Sequence, residues 1–276
     1  MKKKIISKKF MTVMLIGSLM FNPVIRINSV LAGVEGLNSN VTIIQSSDNK
    51  PTNQDILITI ETDDDLSGIK EITLPDGTEV TEKTTTYTIT ENGSYVFKVS
   101  DNAGNEIEGT VDIDNIDKIK PTLTLEPNIL EVTNQDVIIT ARATDNESGI
   151  KEIILPDGEV VSDTTATFTV SENGSYTFLT RDNAGNETEE IIEITNIDKV
   201  PPVITIEPYN TEWTNQNITV TVTVDKGTLN QESYTFTENG SFTFIATDIA
   251  GNVTEKIVTI TNIDKVSPTM TIIIEE

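Results

Sequence analysis

The sequence predicts an all-β chain of tandem sandwich modules, and three observations carry that expectation. First, three short motifs, ENGS at 91–94, DNAGN at 101–105 and NIDK at 115–118, return 81 residues later at 172–175, 182–186 and 196–199. A third set stands at 238–241, 248–252 (as DIAGN) and 262–265. Self-similarity at a fixed step marks an array of one folding unit, not a single large core. Second, apolar residues alternate with period two between the motifs, the pattern of strands with one face on a core. Third, no segment after residue 32 keeps a helical period, while Asn-Gly, Pro-Asp-Gly and Ala-Gly-Asn stand where turns are needed.

Residues 1–32 read as a secretory signal peptide, with Lys2, Lys3, Lys4, Lys8 and Lys9, the apolar run 10–21, and Val30-Leu31-Ala32 as a small-residue cleavage site. An apolar core of 12 residues is short against the about 20 that span a bilayer, so removal is expected over retention as an anchor. Residues 33–40 form a linker. The first module covers 41–118, the second 119–199, a shortened third 200–265, and 266–276 repeat the opening of a module, so the chain is expected to stop inside a fourth. TNQ at 52, 133 and 214 keeps the 81-residue step, yet the interval from TNQ to ENGS is 15 residues shorter in the third copy. What is missing corresponds to the SGIKEI(T/I)LPDG stretch at 67–77 and 148–158. The third module is therefore expected to lose most of two strands, to keep one short strand within 225–233, and to be the least stable.

After TNQ the inward register carries Ile56, Ile58 and Ile60, then Val137, Ile139 and Ala141, then Ile218, Val220 and Val222. Around ENGS it carries Tyr87, Ile89, Tyr95 and Phe97 in the first copy, with Phe168, Val170, Tyr176 and Phe178, then Tyr234, Phe236, Phe242 and Phe244, in the others. The last strands give Val111 and Ile113, Ile192 and Ile194, Val258 and Ile260. About seven short strands in roughly 80 residues, with turns at this spacing, predict an immunoglobulin-like β-sandwich. The cysteine pair and the buried Trp of antibody domains are missing. Tyr95 and Tyr176 suit a tyrosine corner, a hydroxyl bond that Phe242 cannot make.

Composition narrows the function. The 276 residues include 44 acidic and 19 basic side chains; without the leader 13 basic ones remain, a net charge of −31. Such a surface repels phosphate backbones and anionic lipid, which disfavours nucleic acid and membrane-surface binding. It attracts divalent cations and basic partners, although dispersed carboxylates also serve simply as solvating charge. With no cysteine, disulfides contribute nothing and each module stands on its apolar core. With no histidine, the usual general base and the usual zinc ligand sets are gone. No G-x-S-x-G, P-loop or dinucleotide fingerprint is present. An enzyme is not expected.

ENGSYxF, DxAGN and the NIDKxxP linker, with DxxSGIKEI and LPDG in the first two copies, resemble the bacterial immunoglobulin-like repeats of exported, surface-associated, mainly Gram-positive proteins. The resemblance covers nearly everything from about residue 41 onward. It implies a scaffold: such modules serve as stalks, spacers, adhesin segments or accessory modules beside enzymes, and no catalytic residues are carried over. An LPxTG-type sorting signal is not seen, so covalent wall attachment is unsupported for this chain.

Candidate sites have bland competitors. The DxAGN loops at Asp101, Asp182 and Asp248 could bind a ligand or close a hairpin. Asn-Gly-Ser at 92, 173 and 239 matches the glycosylation pattern, with a turn as the simpler reading. Trp213 could stack on sugar, but covering an opened sandwich end is the more economical role. A Lys-Asn isopeptide bond would need a lysine on an inward register, and none is seen; Lys98 falls outward. In a sandwich stacked end to end, Asp117 would approach Asp145 and Asp182, and Asp198 would approach Asp225 and Asp248. Oxygen ligands at a junction suit calcium, with solvating charge as the alternative. No cofactor is required. The function expected is a non-catalytic, secreted, monomeric spacer or adhesive array on or near the bacterial cell surface, whose ligand would be a cell-wall or host protein or glycan. The alternative is a carbohydrate- or protein-binding accessory module of a larger secreted enzyme.

Overall fold

A computed structural model describes residues 25–27, 40–45, 50–64 and 66–273. The predicted leader lies outside the described residues except for 25–27, as does the predicted linker except for Asn40. The described residues contain no helix, and hence none long and apolar enough to cross a membrane. The chain divides into two units, Met1–Ile119 and Lys120–Glu276.

The first unit holds β1 (Ile25–Ile27), β2 (Asn40–Gln45), β3 (Ile56–Asp63), β4 (Ile69–Thr73), β5 (Glu79–Val80), β6 (Thr84–Ile89), β7 (Gly93–Asp101) and β8 (Glu106–Ile113). They form two antiparallel sheets, ordered β1-β2-β3-β6 and β5-β4-β7-β8. β1 falls inside the predicted leader and pairs with β2, Ile25 opposite Gln45. One core joins both sheets: Ile56, Ile58 and Ile60 of β3 and Ile89 of β6 pack with Ile72, Phe97, Val99, Val111 and Ile113 of the other sheet. The pleat explains the selection, since alternate residues of β3 are buried and exposed in turn. This is the sandwich that the alternation predicts.

The second unit contains two such sandwiches. The first comprises β9 (Thr122–Pro127), β10 (Val137–Thr144), β11 (Ile150–Ile154), β12 (Val160–Val161), β13 (Thr165–Val170), β14 (Gly174–Asp182) and β15 (Glu187–Ile194). Its sheets run β13-β10-β9 and β12-β11-β14-β15, around a core that includes Val137, Ile139, Ala141, Ile153 and Phe178. The second comprises β16 (Ile204–Ile206), β17 (Ile218–Val224), β18 (Thr228–Leu229), β19 (Ser233–Phe236), β20 (Gly240–Thr247) and β21 (Val253–Ile260), ordered β16-β17-β19 and β18-β20-β21. Val220, Phe244 and Ala246 are fully buried at its centre.

The tyrosine corners are formed. Tyr95 Oη donates to the Glu91 carbonyl and Tyr176 Oη to the Glu172 carbonyl, each at 2.7 Å. Phe242 instead stacks on Tyr234, with ring centroids 4.0 Å apart.

In the shortened third sandwich a single two-residue strand, β18, stands where the second sandwich has β11 and β12. Leu229 pairs with Ala246, after which the backbone ladder ends. Asn230 extends it. Its backbone N–H donates to the Ile245 carbonyl at 2.9 Å, its side-chain Oδ1 accepts the Ile245 N–H at 2.9 Å, and its Nδ2 donates to the Thr243 carbonyl at 3.1 Å. The amide thus replaces part of the deleted strand. Asn230→Ala is expected to lower the opening free energy of β20 by about 1–2 kcal/mol, the worth of the lost side-chain bonds. Amide hydrogen exchange at Ile245 reads this directly; unchanged protection would mean that water substitutes without cost.

Candidate functional site

The TNQ, ENGS and NIDK motifs converge at one end of each sandwich and bond to the chain itself. In the first unit the Thr52 N–H donates to the Asn115 carbonyl and the Asp117 N–H to the Thr52 carbonyl, both at 2.9 Å, an isolated parallel bridge between Thr52 and Ile116. Asn92 closes the arrangement from the other side: Nδ2 donates to the Ile116 carbonyl and Oδ1 accepts the Ile116 N–H, both at 2.8 Å. The same set recurs with Thr133, Asn173 and Ile197, and again with Thr214, Asn239 and Ile263. Lys118 and Lys199 pair with Asp55 and Asp136 at 2.6 and 2.5 Å, and Lys265 donates to Asn217 at 2.8 Å. The Asn of each Asn-Gly-Ser triplet is therefore a backbone clamp. A shallow hollow lined by Ser171, Glu172, Asn173, Ile197 and Lys199 lies at this end of the second sandwich. Of its polar groups, Asn173 and Lys199 are held in these bonds.

The DxAGN loops are likewise self-satisfied. Asp101 accepts the N–H groups of Ala103 and Asn105 and the Asn105 side-chain amide at 2.6–2.9 Å. Asp182 accepts from the backbones of Gly185 and Asn186 and the Asn186 side chain at 2.7–2.8 Å, and Asp248 from Asn252, backbone at 2.8 Å and side chain at 3.0 Å. Gly104, Gly185 and Gly251 supply the positive φ that the hairpin turn needs. All three aspartates are buried.

The remaining expected calcium ligands are placed as follows. Asp117, in the first unit, accepts the Ile119 N–H at 2.8 Å. Asp145, in the second, accepts the N–H groups of Ser148 and Gly149 at 2.9 and 2.6 Å, capping its loop. Asp198 and Asp248 come together within the second unit, but about a lysine. Lys226 Nζ lies 2.7 Å from Asp198 and 3.0 Å from Asp248. Asp225 accepts the N–H groups of Val203 and Lys226 at 2.7 and 2.9 Å. The sequence reading missed Lys226. Its signal was available, because the 81-residue step places Lys226, and not Asp225, in the position of Asp145 and of Asp64.

Trp213 is 75% exposed, so it does not cover the end of the third sandwich, whereas Tyr209 packs against the core. Lys98 stands outward, paired with Glu108 at 3.0 Å, and no lysine is among the buried residues described.

The electrostatics follow the geometry. The Lys226 hydrogen bond, with the Val200 N–H, holds the Asp198 carboxyl below its ordinary value. Burial alone would push Asp248 up, yet hydrogen bonds from Asn252 and Lys226 outweigh it and bring the pKa down to about 2.

No family model and no curated protein matches this chain. Among solved structures it is similar to dimeric latent PorU from Porphyromonas gingivalis, at 12% identity and a TM-score of 0.21, over 82% of this chain and 29% of that one. The chain thus spans under a third of that protein's length.

A carboxyl whose folded pKa lies below the ordinary 3.8 contributes stability that is full above that value and lost as pH falls through about 2. Asp248→Asn is therefore expected to lower the melting temperature of the third sandwich at pH 7, and the gap to wild type should close near pH 2. Calorimetry across this range is the check; a gap independent of pH would assign the loss to packing.

Proposed function

We propose that the chain is a non-catalytic extracellular array, a spacer or stalk on or near the bacterial cell surface, in which sandwich modules set distance and the short NIDK linkers limit bending. The observation that supports this reading best is the use of the repeated polar residues. Asn92, Asn173 and Asn239, with Thr52, Thr133 and Thr214, bond the linker backbone, and the DxAGN aspartates bond their own loops. Residues repeated for catalysis would present free groups to a substrate. Here they order the exit of each module. The absence of histidine and cysteine, the acidic surface and the resemblance to bacterial immunoglobulin-like repeats point the same way. No cofactor belongs to this reading.

Proline after each linker, at Pro121, Pro202 and Pro268, fixes φ and favours extended backbone in the residue before it. Small-angle scattering on residues 33–276 is expected to give a radius of gyration well above the roughly 18 Å of a compact globule of that length. A radius at the compact value would contradict the spacer.

One observation favours a second reading, a binding module beside a catalytic partner. Trp213 is the chain's single tryptophan, and its exposure leaves an aromatic face open to stacking. Quenching or a shift of its fluorescence by cell-wall glycans, abolished in Trp213→Ala, would support binding; no response to wall polysaccharide or peptidoglycan fragments would leave the spacer.

A further inference from the structure

We infer that Lys226 is a built-in counter-ion that locks the second sandwich to the third, the product of a coupled loop deletion and charge reversal. In the first two copies the residue at the end of the strand after TNQ is an aspartate with a local task. Asp64 accepts the N–H groups of Leu66 and Ser67, and Asp145 those of Ser148 and Gly149. The third copy lacks that loop, so an aspartate there would lose these backbone donors. It would also face the carboxylates of Asp198 and Asp248, and like charges so placed repel. A lysine turns the repulsion from both carboxylates into attraction and needs no backbone N–H donor.

The backbone at Lys226 is positioned for this role. Gly227 has a φ of 83°, and a Cβ on it would lie 2.3 Å from the Thr247 carbonyl oxygen and 2.7 Å from the Asp248 Cα. Only glycine lets the 226–227 turn rest on the end of β20, where Thr247 leads into Asp248. From there the ammonium reaches Asp198, which belongs to the exit linker of the second sandwich, at 2.7 Å. Neutral bonds set the register around it. The Asn252 side chain donates to the Asp198 carbonyl at 2.8 Å, and the Asn134 N–H donates to the Ala250 carbonyl at 3.0 Å. Lys226 supplies the positive charge that lets two carboxylates share this place. The Asp248 side chain is 2% exposed and that of Lys226 33%, so the Lys226–Asp248 pair is shielded from water in a way that an ordinary surface pair is not. The lock thus needs no divalent cation. It goes beyond the spacer reading, since it would hold whatever the array carries or binds.

The chain has no cysteine, so spin labels can be placed at Glu159→Cys and Glu232→Cys, exposed positions on the second and third sandwiches of the full chain. Double electron–electron resonance is expected to give a narrow distance distribution that is the same in calcium and in chelator. Lys226→Met should lose the narrow distribution, and Lys226→Arg should keep it. Asp198→Asn retains an acceptor for the Val200 N–H while removing the charge on the linker, and it should broaden the distribution without touching the third sandwich. It decides the matter if Lys226→Met fails to fold. A narrow distribution in Asp198→Asn, or in a folded Lys226→Met, would overturn the inference, as would broadening of the wild type by chelator.

Discussion

Where each sandwich ends, the chain leaves its last strand while an isoleucine, Ile116, Ile197 or Ile263, is still buried. The backbone there cannot be left without partners, because an unsatisfied buried N–H or carbonyl costs about 1–3 kcal/mol. Among the described residues, no further strand runs beside it to supply them. A single asparagine solves the problem in each copy, since its side-chain amide carries a donor and an acceptor in one plane, spaced as in a peptide group. Asn92, Asn173 and Asn239 each give both bonds to their isoleucine. The threonine of TNQ bridges the opposite side with its own backbone. A chain without disulfides can define its module ends in this way, and the exit direction of the linker follows from it.

The same chemistry accounts for how the array tolerates its deletion. Losing the stretch that forms β11 and β12 in the second sandwich removes ladder partners from β20 and the donors that an aspartate at position 226 would need. Asn230 answers the first loss with side-chain bonds to Thr243 and Ile245, and Lys226 answers the second by changing sign. Phe242 on Tyr234 fills the place of the tyrosine corner with stacked rings in lieu of a hydroxyl bond. The deletion also takes apolar side chains from the core: Ile72 in the first copy, and Ile153 and Leu155 in the second, are buried in their clusters, with Ile69 and Leu74, or Ile150, packed against them.

Much of this was legible beforehand. Period-two alternation located the strands and their inward faces, because burial on a pleated sheet selects alternate residues whatever the detailed packing; Ile56, Ile58 and Ile60 and their counterparts are the examples. Tyr95 and Tyr176 were identifiable because a tyrosine corner is a local device, bonding four residues upstream. Three features were not read correctly, each for a physical reason. The clamp joins Asn173 to Ile197 across 24 residues, and nothing in local sequence reveals that pairing. Trp213 reads as a cover on size and apolarity alone, but it stands exposed while Tyr209 packs on the core. Lys226 reverses the charge of its counterparts, so a pattern of repeated carboxylates points to the neighbouring Asp225, although the register assigns the place of Asp145 to the lysine.

The central claim is that the repeated asparagine, and not a strand, holds the linker backbone. The Ile197 N–H tests it most directly, since its acceptor is the Asn173 Oδ1 at 2.9 Å. Residue-resolved amide exchange on wild type and Asn173→Ala should show Ile197 protected in the first and exchanging at least roughly tenfold faster in the second, the equivalent of about 1.4 kcal/mol, with Phe178 at the core unchanged. Equal protection of Ile197 in both proteins would contradict the account.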